Sequence, residues 1–292
     1  MRQFETPSPA RRVVHPTSGV APSASSSVTC DLNRREKEVP PRSEFGDIDV
    51  RIEDGVFTIE IGRLDAATHN GLSRVFRAAH ESDAQVVVVT GKDHTFFSPD
   101  KYDPDYIVAA GARDAMLTMY KEGEAIIRDS ISCEKPMVAK VWAPGAHSLG
   151  ASLALACDFV YAADDATFSD PHLSGFAVPP GDGGALLWPA RIGLTRAREF
   201  LLTDRVATAD EAVEIGLINK SVPAESLDAE VDALVAKLKS YDTFALKMSK
   251  KWLNQYVLQD LNTVGLGMLT AEGMLLAGGA LSSAGDFLDT QK

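Results

Sequence analysis

Residues 137–158 read MVAKVWAPGAHSLGASLALACD, and this run sets the architecture. Met137–Val141 is a largely apolar stretch of strand length. Pro144 and Gly145 then interrupt the chain, and the small residues between Leu149 and Cys157 suit a helix packed close to its neighbours. A strand that passes through a tight turn into a helix leaves the first helical amides unpaired. Those amides, at the positive end of the helix dipole, favour negative charge.

Working outward, Val86–Thr90 is a continuous β-branched run, as expected of a strand buried on both faces. Gly91 and the loop His94-Thr95-Phe96-Phe97-Ser98-Pro99-Asp100-Lys101 follow it. Asp49–Ile52 and Val56–Gly62 alternate about Asp54-Gly55 and predict a hairpin. Helical spacing runs through Asn70–Ser82 and from about Asp114 to Ile131, and Phe159–Ala162 is a further strand. This alternation implies right-handed strand–helix–strand units in an α/β fold. Past Pro180 the chain is mainly helical: Leu186–Arg191, Thr195–Leu202, Ala209–Ile215, Leu227–Lys239 and two longer helices to about Ala280.

Three parts follow. Residues 1–45 carry six prolines and the serine run Ser23–Ser27 with little apolar periodicity, so disorder is expected there. Arg2, Arg11 and Arg12 among serines share a transit-peptide feature, but Glu5 and the lack of an amphipathic pattern argue against one. Residues 46–225 form the core and 226–292 a helical C-terminal region.

The net charge of −12 argues against a nucleic-acid or anionic-membrane partner, which needs clustered Lys and Arg. No apolar run reaches the roughly 18–20 residues of a spanning helix. Cys30, Cys133 and Cys157 are odd in number and widely spaced, which suits reduced thiols in the cytoplasm and neither disulfides nor a zinc site.

The ordered series of the VVVTG strand, the Phe97-Ser98 loop, the helix ending Cys157-Asp158, Ala166-Thr167-Phe168 and Pro180-Gly181-Asp182-Gly183-Gly184 resembles the crotonase (enoyl-CoA hydratase/isomerase) superfamily. Leu201-Leu202-Thr203, Ala209, Ala212 and Gly216-Leu217-Ile218 complete the likeness, which spans 47 to about 260. It implies a spiral of ββα units, a helical region that assembles trimers or pairs of trimers, and an oxyanion hole. The apolar stretch Leu266–Leu281 suits such assembly. The amides of Lys101 and Leu149 fall at the hole's positions. No metal or organic cofactor is implied.

The departures matter as much. Where hydratases of the superfamily carry two glutamates, this chain has Ser152 and His172. With Asp182 downstream, His172 is similar to the base of the superfamily's β-diketone hydrolases, the 6-oxocamphor hydrolase branch, across Ala166–Pro189. That resemblance places two further site residues at His69 and Glu272, and leaves Leu64 and Gly150 where the branch has a tryptophan and a histidine. His147, one helical turn before Gly150, is a substitute, and Ser152, Tyr102 and Trp188 are further candidate substrate contacts.

Each residue also has a plainer reading. Asp182 suits a helix N-cap, His69 a capping position ahead of Asn70, and Glu272 an exposed helix charge. His94 reads as solvated, and Lys247, Lys250 and Lys251 as a solvated helix face or a CoA-phosphate contact. The expected function is hydrolysis of a carbon–carbon bond in a small 1,3-dicarbonyl compound by a retro-Claisen route. The alternatives are hydration, isomerisation or decarboxylation of an acyl-CoA thioester, and an inactive scaffold.

Overall fold

The computed structural model describes residues 42–97, 101–103, 105–106 and 113–277. Strands β1 (Ile48–Glu53) and β2 (Val56–Ile61) form the expected antiparallel hairpin around Asp54-Gly55, paired from Ile48–Ile61 to Glu53–Val56. Helix α1 (Ala66–Glu81) then leads to β3 (Val86–Gly91), which runs parallel to β2. Helix α2 (Arg113–Ser132) returns the chain to β4 (Met137–Val141), again parallel. With β6 (Phe159–Ala163) and β9 (Lys220–Val222) these strands make one six-stranded sheet in the order β1-β2-β3-β4-β6-β9. Every residue of β3 is buried, because both of its edges are paired and both of its faces are covered. Each fully buried valine there contributes roughly 1.5–3 kcal/mol of apolar burial.

A second, three-stranded sheet was not legible in the sequence. It joins β5 (Gly145–His147), β7 (Thr167–Ser169) and β8 (Ala207–Thr208) in the order β5-β7-β8. These strands have two or three residues, too few for period-two patterning to register. Between β5 and β6 lies α3 (Leu149–Ala156), whose residues are all buried. Helix α4 (His172–Phe176) follows β7, and α5 (Gly184–Thr203) contains the break at Gly193 that separates the two shorter helices expected there. Helices α6 (Ala209–Glu214), α7 (Leu227–Lys239), α8 (Thr243–Asp260) and α9 (Leu266–Ala277) complete the described chain. A π turn, Leu261–Gly265, links the last two. The α/β core and helical C-terminal region expected from the sequence are both present.

Three boundaries and surfaces differ from expectation. The folded region begins before residue 46: Arg42–Phe45 is a 3-10 turn, and Phe45 is 2% exposed, packed into the core. Residues 1–41 lie outside the described residues, as do Ser98-Pro99-Asp100 and the stretch beyond Ala277. Helix α1 starts at Ala66, because Asp65 accepts from the Thr68 amide at 2.8 Å and caps it. His69 is therefore inside the first turn and not a cap. Lys250 is also no surface residue: it is 5% exposed, 2.8 Å from Asp158, and donates to the Lys135 carbonyl at 2.6 Å. A buried, fully paired ammonium of this kind fastens α8 to the core and is not free to meet a phosphate. Among the described residues no helix is long and apolar enough to cross a membrane.

Candidate active site

The turn between β5 and α3 is built as the sequence implied. Ser148 has φ 49° and ψ −126°, a conformation that favours glycine, and it turns the chain sharply into the helix that starts at Leu149. Opposite it, the Phe97 carbonyl approaches Gly150 so closely that a Cβ there would sit 1.8 Å from the oxygen. Only glycine permits that approach, and through it the loop after β3 rests on the first turn of α3. The Leu149 amide, at the helix N-terminus, has no partner within α3. The Lys101 carbonyl accepts from the Leu64 amide at 2.8 Å, and the Leu64 carbonyl in turn accepts from the Asp103 amide at 2.8 Å. These bonds fix the chain on either side of Tyr102.

A cavity of about 80 Å³ opens beside Leu149. Leu64, Met116, Met119, Val178, Leu269 and Leu276 give it apolar walls. Its polar groups are His69, Tyr102, Tyr120, Ser148, His172, Asp182 and Glu272. Four of the candidate catalytic side chains, from three distant parts of the chain, therefore meet in one place: His69, His172, Asp182 and Glu272. Lys101 is not among the lining residues.

His172 opens α4 directly after Asp170-Pro171 and is 3% exposed. Its Nδ1 is hydrogen-bonded to Asp170 Oδ1, a partner that the sequence reading passed over. Asp182 Oδ2 instead faces the other ring nitrogen, Nε2, at 3.4 Å. The orienting carboxylate is thus Asp170, and Asp182 lies on the working side of the ring. The local signal was present in Asp170-Pro171-His172, where a proline between the two holds them in one tight turn. Asp170 is fully enclosed; a Cβ on Gly184 would sit 1.9 Å from its Oδ2, so glycine at that helix start is what makes room. Asp182 does not cap α5. Gly183 stands at that position with no side-chain bond, and Asp182 Oδ1 accepts from Ser152 Oγ at 3.1 Å.

Glu272 comes from α9 and is no exposed charge: it is 9% exposed, and its Oε1 lies 3.8 Å from His172 Nε2. The electrostatics divide the protons. Burial, reinforced by the Asp182 and Asp170 carboxylates and opposed by His172, pushes Glu272 up to about 8, so it is a carboxylic acid at neutral pH. Burial alone would hold His172 neutral, but the carboxylates of Asp170 and Asp182 outweigh it and raise the imidazole well above its usual range. Burial likewise raises Asp170, against the pull of His172. Tyr102 is held as a neutral phenol by burial and by Asp182. Its hydroxyl faces the Leu149 amide and makes no well-formed hydrogen bond. Among the described residues Ser148 Oγ is also buried without a partner, and Glu272 Oε2, beside the Gly181 amide, makes no well-formed hydrogen bond, so the cavity presents unsatisfied polar atoms to an occupant.

His69 lines the cavity from α1, with Nδ1 2.7 Å from Glu122 Oε2. Three other candidates are placed elsewhere. Trp188 is fully buried and packs on Phe200 at 5.3 Å, so it is a core residue. His147 sits in β5 with Nδ1 2.7 Å from Ser169 Oγ, away from the cavity lining. Ser152 is fully buried and reaches the site only through Asp182. His94 is exposed, as expected, and lies 4.5 Å from the Trp142 ring. Asp170, His172 and Asp182 each offer one ligand atom within 4.8 Å of one another, a geometry that could hold a metal ion. The same contacts are fully explained by proton sharing between one imidazole and two carboxylates.

Comparison with known proteins agrees with this geometry. The enoyl-CoA hydratase/isomerase family profile matches residues 54–279. A crotonyl-CoA hydratase of Syntrophomonas wolfei is 36% identical over 142 residues, 48% of this chain and 53% of that protein. The chain thus spans about half the length of this relative. An enoyl-CoA hydratase/isomerase structure from Mycobacterium paratuberculosis superposes with a TM-score of 0.75 at 26% identity, covering 84% of this chain and 98% of that one. A β-diketone hydrolase of the cyanobacterium Anabaena sp. PCC 7120, bound to (S)-3-oxocyclohexyl acetic acid, shares the fold. Its TM-score is 0.74 at 23% identity, over 82% of this chain and 98% of that chain. The chain belongs to the enoyl-CoA hydratase/isomerase family of the crotonase superfamily.

Proposed function

We propose that the protein hydrolyses a carbon–carbon bond of a small 1,3-diketone, cyclic in the simplest case. The observation that carries this reading is the His172 ring clasped between Asp170 and Asp182, where hydration would use a pair of glutamates. Water near Nε2 adds to one carbonyl carbon, and its proton passes to the deprotonated form of His172, which Asp170 holds in place. The oxygen that gains charge meets the Leu149 amide, assisted by the Tyr102 hydroxyl. Collapse breaks the bond between that carbon and its neighbour. The electron pair leaves as an enolate, whose oxygen His69 receives. Glu272, a carboxylic acid at neutral pH, protonates the enolate carbon, and His172 then returns the proton it took from water to Glu272, 3.8 Å away. A ring gives a single keto acid, and an open chain a ketone and a carboxylic acid, with no net change in the enzyme.

The test is a panel of cyclic 1,3-diketones against crotonyl-CoA, following loss of ultraviolet absorbance. Diketone turnover that His172→Ala lowers by roughly 10²–10⁴-fold supports the reading. Full-rate cleavage by that variant overturns it.

The competing reading is an acyl-CoA hydratase or isomerase, favoured by the name of the crotonyl-CoA hydratase relative. The site offers such a reaction one carboxylic acid and one imidazole in place of two glutamates, and Lys250 is committed to Asp158. Tight calorimetric binding of acetyl-CoA would reverse the order of the two readings. We further propose a cytoplasmic trimer or pair of trimers, which would cover the exposed Trp252, Leu253 and Tyr256 of α8.

A further inference from the structure

The cavity holds a second histidine–carboxylate pair, on elements that carry none of the first. His69 is 4% exposed on the first turn of α1, and Glu122 reaches it from the middle of α2. Both carboxylate oxygens of Glu122 are engaged. Oε2 lies 2.7 Å from His69 Nδ1, and Oε1 accepts from Asn70 Nδ2 at 2.8 Å. Despite partial burial, those two contacts hold the Glu122 carboxyl below its usual range, so it is an acceptor at neutral pH. An ionised carboxylate cannot donate, which assigns the Nδ1 proton to His69. The ring is further set by Tyr106, 5.9 Å away. His69 Nε2 has no hydrogen-bond partner among the described residues and belongs to a ring that lines the cavity.

We propose that Glu122 is a positioning residue: it fixes the Nδ1–H form of His69, so that Nε2 faces the substrate oxygen and donates to it when it carries the second proton. Asn70 holds the second carboxylate oxygen and so sets the plane of the first. The cavity thereby separates two tasks. His172 with Asp170 manages the proton of water, and His69 with Glu122 meets the oxygen of the departing enolate. The enolate assignment rests on the reading of the protein as a diketone hydrolase; the tautomer assignment does not.

The experiment compares wild type, Glu122→Gln and Asn70→Ala. Long-range ¹H–¹⁵N correlation spectra, assigned with His69→Asn, report which ring nitrogen carries the proton. We expect His69 protonated at Nδ1 in wild type and a mixture of tautomers in Glu122→Gln, with the His172 signals unmoved. On a diketone substrate kcat should fall roughly 10²-fold with KM little changed, since a displaced positioning contact costs about that much. An unchanged His69 tautomer in Glu122→Gln overturns the proposal, as does an unchanged kcat on a cleaved diketone. If Glu122→Gln fails to fold, Asn70→Ala carries the test, because Asn70 is exposed and its removal frees only Oε1. There, an unmoved tautomer equilibrium and kcat again overturn it. If no diketone is turned over, the function reading fails while the spectra still decide the dyad.

Discussion

Glu272 Oε1 stands 3.8 Å from His172 Nε2, bringing the last described helix against the turn that follows β7. In the unfolded chain that carboxyl titrates near 4.5; in the fold it titrates near 8. The folded protein therefore binds the extra proton between those values, and stability falls as pH rises through that window. Glu272→Gln keeps the shape and removes the titration. We expect urea midpoints of wild type and variant to diverge between pH 5 and pH 9, in favour of the variant, while diketone turnover drops roughly 10²-fold or more for want of a donor. Equal pH dependence in the two proteins would contradict the buried, protonated carboxyl.

Asp170→Asn tests the orienting contact. Asp170 and Asp182 together raise His172, so taking one charge away lowers the imidazole toward its ordinary range. A base must be free of its proton to work, so the ascending limb of the pH–rate profile reports the release of the His172 proton. That limb should move to lower pH in Asp170→Asn, with a lower plateau because the ring is less well held. The descending limb, set by loss of the Glu272 proton near 8, should move less. These groups share one cluster, so each limb belongs to the cluster as a whole.

Ser148 carries a conformational cost at the turn into α3. At φ 49° and ψ −126° a residue with a Cβ is strained by about 1–3 kcal/mol. We expect Ser148→Gly to raise the melting temperature and Ser148→Val to lower it. Because the Ser148 hydroxyl is buried and unpartnered, Ser148→Ala should not destabilise the free enzyme. It should raise KM if the substrate uses that hydroxyl.

Helix α8 exposes Trp252 at 66%, Leu253 at 67% and Tyr256 at 75%. Multi-angle light scattering of the wild type should give three or six chains per particle. The double variant Trp252→Glu, Tyr256→Glu should give a smaller particle. A monomeric wild type at micromolar concentration would show that the face is not a subunit contact.

Long elements with one strong pattern were legible in the sequence, and short or shared ones were not. Val86–Gly91 announces itself because six consecutive buried positions leave only apolar, β-branched or small residues. The strand Thr167–Ser169 does not, because three residues fit any pattern. At the site, His172 and Glu272 were found through likeness to a motif. Asp170 was missed, although it sits two residues from His172, since an aspartate before a proline also reads as an ordinary turn. Glu122 lay beyond reach for a different reason. Nothing within helix α2 distinguishes it from Glu124, and only the packing of α1 on α2 selects which of the two meets His69. Trp188 misled in the opposite sense: its burial against Phe200 is invisible in a motif.

The close approach of Phe97 to Gly150 has a consequence for the handedness of the products. With the two loops seated against each other, the enolate of the proposed reaction is held by His69 at its oxygen and by the Leu149 amide at the newly formed carboxyl group. Glu272 reaches it from α9, and the Cβ that Gly181 lacks would otherwise stand 2.7 Å from its Oε2. The flat molecule is then offered its new hydrogen from a single side, so a symmetric ring with two different substituents on the carbon between its carbonyls should release one mirror-image form.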